Sequence, residues 1–228
     1  MGVCVGVLEV LTEIISPVRC AGCGLPGLAL CPACSATAPL IDPQRSCQRC
    51  GAPLQGRECS ECAGRTFAFS RAICAGRLEP PLSRAVTFYK DAAERRYASL
   101  LGALLAEACE CWRGWPDVVC ALPPTRTALL RRGFDHTDAI ARFVASGLDV
   151  PQASLLLVAV RDDQRQLGRD ARFANVAGAF TVPQDAVVPR HILVVDDVLT
   201  TGATFDGAAR ALRAAGAVEV RVAAVARA

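Results

Sequence analysis

The chain has little lysine, few aromatic residues and no long apolar run of membrane-spanning length. Lys90 is the single lysine among 25 basic residues, the rest being arginine, which reads as a codon bias rather than a special need for guanidinium groups. A net charge of +3 is too mild for the strongly basic stripe of a nucleic-acid binder. The opening run MGVCVGVLEVLTEIISP is apolar, but it has no basic leading region, carries Glu9 and Glu13, and is too short to cross a bilayer. Val3, Val7, Val10 and Ile14 recur there at helical spacing and predict an amphipathic helix over 1–17, ending before Pro17. No other targeting signal stands in the sequence, so a cytoplasmic location is expected. There is no low-complexity tract, and 52 % hydrophobic residues over 228 positions exclude a disordered chain and suit one ordinary domain with a small appended module.

Cysteine, by contrast, is abundant. Eight of the 13 fall in four C-x2-C pairs: Cys20/Cys23, Cys31/Cys34, Cys47/Cys50 and Cys59/Cys62. Each pair makes a knuckle that aims two thiolates at one point, and two knuckles complete a tetrahedral zinc site. Gly22, Gly24 and Gly51 supply the small residues such turns favour. A secreted disulfide framework would need a signal peptide and would not space every pair by two residues. The segment 18–65 is therefore expected to be a double zinc ribbon with one or two structural zinc ions, its folding energy drawn from the metal. The simplest pairing joins the first two knuckles and the last two; a crossed pairing fits the spacing as well. Cys4, Cys74, Cys109, Cys111 and Cys120 stand in apolar contexts and are expected as small buried hydrophobes.

From about Thr66 a linker is expected to lead into a second domain over 66–228. Tyr97, Leu100, Leu101, Leu104, Leu105 and Ala108 mark a helix. DVVCAL (Asp117 to Leu122), SLLLVAV (Ser154 to Val160), HILVV (from His191) and Val218 to Val225 read as strands, with helices over 128–146 and about 202–215. Continuous apolar strands alternating with helices predict an α/β fold, a mostly parallel sheet with helices on both faces.

One strand ends unusually. In HILVVDDVLTTGATF, two carboxylates and a Thr/Gly turn follow an apolar run. In such sheets ligands bind outside the carboxyl ends of the strands, where Asp196 and Asp197 arrive. The turn opens a helix whose free N–H groups favour an anion, Thr200, Thr201 and Thr204 can donate to phosphate oxygens, and Gly202 admits close backbone approach. Adjacent carboxylates suit a vicinal diol, directly or through a cation. Phosphate at one end and a diol at the other describe a ribose 5-phosphate. Helix capping by Asp197 or Thr201 alone would leave the doubled Asp, three Thr and Gly unexplained.

At these residues the sequence resembles the phosphoribosyl-pyrophosphate (PRPP) motif of type I phosphoribosyltransferases. Together with the zinc-ribbon pattern, Lys90, LPPTRTALLRRGFDH (Leu122 to His136) and QRQLGRDARFANVAGAF (Gln164 to Phe180), nearly the whole chain resembles the ComF family. The resemblance implies that Asp196 and Asp197 hold the ribose hydroxyls and act as the catalytic pair, and that Leu199, Thr200, Thr201, Gly202, Ala203 and Thr204 cradle the 5-phosphate. It implies a pyrophosphate contact from Pro124, Thr125, Arg126 and Arg132, guanidinium being suited to bidentate phosphate binding. Arg126 and Arg131 fit a solvated helix as well. The commoner family pattern is RGFNQ; the charge of Asp135 in RGFDH argues against its touching a polyphosphate, and His136 reads as a structural histidine. Gln164, Arg172 and Asn175 fall in a segment where the transferases carry a mobile loop that closes over substrate.

The activity implied is transfer of phosphoribosyl from magnesium PRPP to an unidentified acceptor, linked to competence and DNA uptake. The alternative is a PRPP-sensing module without catalysis, whose zinc ribbon binds single-stranded DNA or competence-machinery proteins. Aromatic stacking platforms are nearly absent from that ribbon, with only Phe67 and Phe69 close by.

Overall fold

The computed structural model describes residues 16–54, 56, 58–158 and 178–228. The helix expected over 1–17 and the loop residues Gln164, Arg172 and Asn175 lie outside these, apart from residues 16 and 17.

The centre is a four-stranded sheet of β1 (Arg71–Arg77), β2 (Val118–Ala121), β5 (His191–Leu199) and β6 (Glu219–Arg227), in the order β1-β6-β5-β2. Every pairing is parallel, with Leu193 opposite Arg221 and Val119 opposite Leu193. All four carboxyl ends therefore share one edge. Ile192, Leu193, Val194 and Val195 are each fully buried because both faces are covered, and burying each such side chain contributes about 1.5–3 kcal/mol. Leu193 and Val195 pack with α2 (Leu82–Lys90), α3 (Tyr97–Cys109) and α5 (His136–Leu148). Ile192 and Val194 pack on the other side with α6 (Ala203–Ala214), Leu155, Leu156 and Phe180. The expected layered α/β arrangement is the one observed.

Three local expectations are corrected. The stretch from Thr66, expected as a linker, holds β1 and α2. Strand β1 escaped notice because its interior, AICAG, is built of small residues with weak strand propensity. Among the described residues, 154–158 of the segment expected as a strand over Ser154 to Val160 add none to the main sheet: Gln152 bridges to Val119, Leu155 and Leu156 are buried without regular structure, and β3 (Leu157–Val158) pairs antiparallel with β4 (Phe180–Thr181). The helix expected over 128–146 is two, α4 (Arg126–Arg132) and α5, because the chain turns at Gly133 and Asp135 caps a new helix start by accepting from Thr137 N and Asp138 N, both at 3.0 Å.

Before the sheet, two cysteine-rich lobes carry a short helix, α1 (Pro32–Ser35), and a 3-10 turn (Pro43–Arg45). They cover the outer edge of β1: Ile41 N donates to Ala75 O at 3.0 Å, Arg77 N to Pro39 O at 2.8 Å and Ala72 N to Gln48 O at 3.0 Å. An edge strand left open would template foreign pairing, and this coverage satisfies its backbone instead. Cys74, Cys109 and Cys120 are buried as expected, whereas Cys111 is exposed, standing in the 3-10 turn Glu110–Trp112 beyond the packed part of α3.

Candidate functional site

The two lobes each bring four cysteines together, Cys20, Cys23, Cys31 and Cys34 in one and Cys47, Cys50, Cys59 and Cys62 in the other, with ligand atoms all within 4.8 Å of one another. The knuckles pair in sequence order, first with second and third with fourth. The sulfurs of Cys23 and Cys31 are 3.8 Å apart, and those of Cys47 and Cys62, and of Cys50 and Cys59, 3.6 Å. A zinc tetrahedron with Zn–S near 2.3 Å has edges of about 3.8 Å, so both clusters fit that ion. Cys31 N donates to Cys20 Sγ at 3.3 Å. Burial disfavours the Cys20 thiolate, but this bond and others from the Cys23 and Gly22 amides outweigh it and bring its pKa down to about 6. A Cβ on Gly22 would stand 2.4 Å from Cys34 Sγ, so the first knuckle requires glycine there.

At the carboxyl edge of the sheet, β5 delivers Asp196 and Asp197, and a carboxylate oxygen of each lies with a ring nitrogen of His136 in one cluster, all within 4.8 Å of one another. Asp196 keeps partial exposure and accepts Asp197 N at 2.8 Å through Oδ1. Burial, and then the adjacent charge of Asp197, push its pKa well above the usual carboxylate range. Asp197 is 2 % exposed. Lys90, at the end of α2, stands 2.7 Å from Asp197 Oδ2, and His136 Nε2 lies 3.3 Å from the same oxygen. Burial alone would raise the pKa of Asp197, but the hydrogen bond from His136 and the charge of Lys90 prevail and lower it to about 2.

His136 is itself held in place. Arg132 Nη1 stands 3.1 Å from His136 Nδ1, and Tyr89 donates its hydroxyl to the His136 carbonyl at 2.6 Å. The same Nη1 lies 3.3 Å from His136 Nε2, so the imidazole stands between the Arg132 guanidinium and the Asp197 carboxylate. The arrangement thus runs Arg132, His136, Asp197, Lys90, with Asp197 turned inward and Asp196 facing the open edge. Lys90 and Tyr89 had no assigned role at the sequence level. The spacing Leu82, Ala85, Val86, Tyr89 already marks the buried stripe of α2 that carries them there.

The loop after β5 is open to solvent at its threonines. Thr200, Thr201 and Thr204 are exposed and Gly202 is buried. Gly202 adopts φ +82 at the start of α6, a left-handed conformation, and offers no side-chain cap. A Cβ there would come within 3.0 Å of the Phe67 ring. Asp197 does not cap this helix; Thr201 Oγ1 accepts a long hydrogen bond from Ala203 N at 3.4 Å. On the other side of β5, the loop after β2 carries Pro124 and Thr125, and Thr125 Oγ1 caps α4 by accepting Ala128 N at 3.2 Å. Arg126 and Arg131 are exposed on α4, which buries none of its residues, while Arg132 turns toward His136.

Sequence comparison agrees with this architecture. Residues 139–228 match the phosphoribosyl transferase domain family. Competence protein F of Haemophilus influenzae is 27 % identical over 80 % of this chain and 84 % of its own length. The DNA utilization protein YhgH of Salmonella typhimurium is 29 % identical over 77 % of this chain and 81 % of its own. The chain is a ComF-type homologue with a phosphoribosyl transferase domain. Competence protein ComFC of Streptococcus pneumoniae is a more partial relative of this ComF homologue, 25 % identical over 58 % of the chain and 57 % of the relative. Among solved structures, orotate phosphoribosyltransferase from Aeropyrum pernix is 20 % identical at a TM-score of 0.37, over 58 % of this chain and 59 % of that one. Among the described residues of the ComF homologue, no helix is long and apolar enough to cross a membrane.

Proposed function

We propose that this ComF homologue binds magnesium PRPP and transfers its phosphoribosyl group to a nitrogen acceptor. The observation that carries the reading is the end of β5: a partly exposed Asp196, then after Leu199 the exposed Thr200 and Thr201 and a left-handed Gly202 that opens a 12-residue helix with Thr204 exposed in its first turn. Asp196 accepts the ribose hydroxyls, and the loop Leu199 to Thr204 holds the 5-phosphate with amides and hydroxyls. Asp197 works from behind. Fixed by Lys90 and His136, it keeps a negative charge beneath the ribose that favours the positive character developing at C1 in the transition state. Magnesium bound with PRPP would supply charge neutralisation for the departing pyrophosphate. Pro124, Thr125, Arg126 and Arg132 form the pyrophosphate side, and Gln164, Arg172 and Asn175 belong to a closing loop in this reading. Zinc in both Cys4 clusters holds the lobes folded over β1, without part in the chemistry.

The test is calorimetric titration of magnesium PRPP into the intact protein and into Asp196→Asn. Binding to the first and none to the second supports the reading; equal binding, or none to either, overturns it. The names of the relatives, which speak of competence and DNA utilization, favour a second reading in which the chain senses PRPP and the zinc ribbon engages single-stranded DNA or a competence protein in the cytoplasm. Salt-dependent DNA binding that survives Asp196→Asn, without PRPP turnover, would select it.

A further inference from the structure

The two Cys4 clusters meet solvent differently. In the first, only Cys20 is buried and Cys23 is exposed, whereas in the second Cys47, Cys50 and Cys62 are all buried. We propose that the first cluster is an oxidation-sensitive site: a peroxide converts Cys23 and Cys31 to a disulfide, zinc leaves, and the first lobe loosens its hold on α2. The second cluster stays closed. Nothing in this chemistry depends on PRPP binding.

The contrast begins in the leading knuckle of each lobe. Gly24 follows Cys23 as Gly51 follows Cys50, and both turn with a left-handed backbone, at φ +77 and +71. A Cβ on Gly51 would stand 2.9 Å from Cys74 Sγ in β1, so that turn is pressed against the sheet, while a Cβ on Gly24 would meet nothing within 4 Å. Leu25 and Leu28, in the loop that follows Gly24, are exposed. Cys47, Cys50 and Cys62 instead pack with Ala52 and the partly buried Leu54 and Phe67. Susceptibility of a thiolate to peroxide follows its exposure, and a second cysteine within reach carries the first product on to a disulfide. Cys23 meets both conditions, with Cys31 Sγ 3.8 Å away in an exposed contact. The corresponding pair of Cys47 and Cys62, at 3.6 Å, is buried.

The step balances with hydrogen peroxide as the oxidant. Cys23 Sγ attacks one peroxide oxygen, the O–O bond breaks, and hydroxide departs to leave a sulfenic acid on Cys23. Cys31 Sγ then attacks that sulfur, the S–S bond forms, and the S–O bond breaks to release a second hydroxide. The two thiolates have lost two electrons and the peroxide has gained them. Cys20 and Cys34 remain as two thiolate ligands of the original four, too few to retain the metal. This knuckle is also tied to the main core. Ala21 is fully buried in the same cluster as Leu82, Ala85 and Leu101, Arg84 Nη1 donates to Gly22 O at 2.8 Å, and Tyr97 donates its hydroxyl to Arg19 O. Leu82, Arg84 and Ala85 belong to α2, whose last residue, Lys90, pairs with Asp197. Opening the first knuckle therefore frees the helix that fixes the buried aspartate.

The experiment uses the full zinc-loaded chain carrying Cys4→Ser and Cys111→Ser, which removes the thiol of the leading segment and the exposed thiol outside the clusters. Hydrogen peroxide is added in steps and released zinc is read with a chromogenic indicator. Alkylation with peptide mapping assigns the oxidised cysteines, and hydrogen exchange is followed by mass spectrometry. The expected result is one zinc equivalent leaving at least about tenfold faster than the second, as exposure of the reacting thiolate dictates. A Cys23–Cys31 disulfide and faster exchange in Leu82–Lys90 accompany it, and dithiothreitol with added zinc reverses both. Simultaneous loss of both metals, first oxidation among Cys47, Cys50, Cys59 and Cys62, or zinc loss without a Cys23–Cys31 bond overturns the proposal. Unchanged exchange in α2 once the disulfide has formed overturns it too.

Discussion

Lys90 Nζ, the chain's single ammonium side chain, stands 2.7 Å from Oδ2 of the buried Asp197. A lone lysine in an arginine-rich chain is placed where a compact charge on a slender stem can reach a carboxylate shared with an imidazole. A planar guanidinium is a different shape with different bonding needs.

Removing that charge should therefore be costly. Breaking a buried pair by deleting one partner leaves an uncompensated charge, and with Lys90 28 % exposed the expected loss for Lys90→Met is about 2–3 kcal/mol. The double variant Lys90→Met/Asp197→Asn should recover part of it, since no bare carboxylate remains. Urea midpoints of the three proteins measure both effects, and a double variant no more stable than the single would refute the pairing argument.

The two aspartates pull stability in opposite directions with pH. Asp197, with its pKa lowered to about 2, contributes stability that is present above the unfolded value near 3.9 and is lost as pH falls toward 2. That contribution is of the order of 2 kcal/mol. Asp196, raised by burial and by its neighbour's charge, contributes in the acid range and loses that contribution as pH rises through its elevated pKa. Asp196→Asn is thus expected to melt higher than wild type at pH 8 and to bind no magnesium PRPP. Melting curves between pH 3 and 8, read beside calorimetry, check the sign for each residue.

Gly202→Ala should damage the proposed phosphate loop without removing a side chain assigned to the ligand. The φ of +82 costs a non-glycine residue about 1–2 kcal/mol, and the added methyl meets the Phe67 ring, which stacks on Phe69 at 4.6 Å. Thermal melting should fall and PRPP binding weaken together. A variant that melts and binds as wild type would show that this turn relaxes freely.

Chelation of the clusters should be felt beyond the lobes. Because Pro39, Ile41 and Gln48 hydrogen-bond β1, hydrogen exchange after zinc removal is expected to rise in Arg71–Arg77 as well as in the cysteine segments, while β5 stays protected. Gly22→Ala should raise exchange around the first cluster alone, through its clash with Cys34. Exchange confined to the cysteine segments after chelation would mean that the lobes merely rest against the sheet.

Legibility in the sequence followed local periodicity and spacing. The C-x2-C pairs specify their clusters, because a knuckle is a local turn whose ligand geometry depends on two residues of separation. The apolar run of β5, buried on both faces, and the Thr/Gly start of α6 are local too, so the parallel sheet and the turn from strand to helix after β5 could be read directly. Strand β1 could not be read, because small residues such as Ala72, Cys74 and Gly76 become a strand only when β6 supplies hydrogen bonds on one side and Pro39 and Gln48 close the other. The orientation of the paired aspartates was likewise beyond the sequence: adjacency in the chain says that Asp196 and Asp197 are neighbours, but only helices α2 and α5, packed on one face of the sheet, place Lys90 and His136 against Asp197 and leave Asp196 to the open edge. Charges separated by more than 100 positions meet through packing, and no local pattern records that meeting.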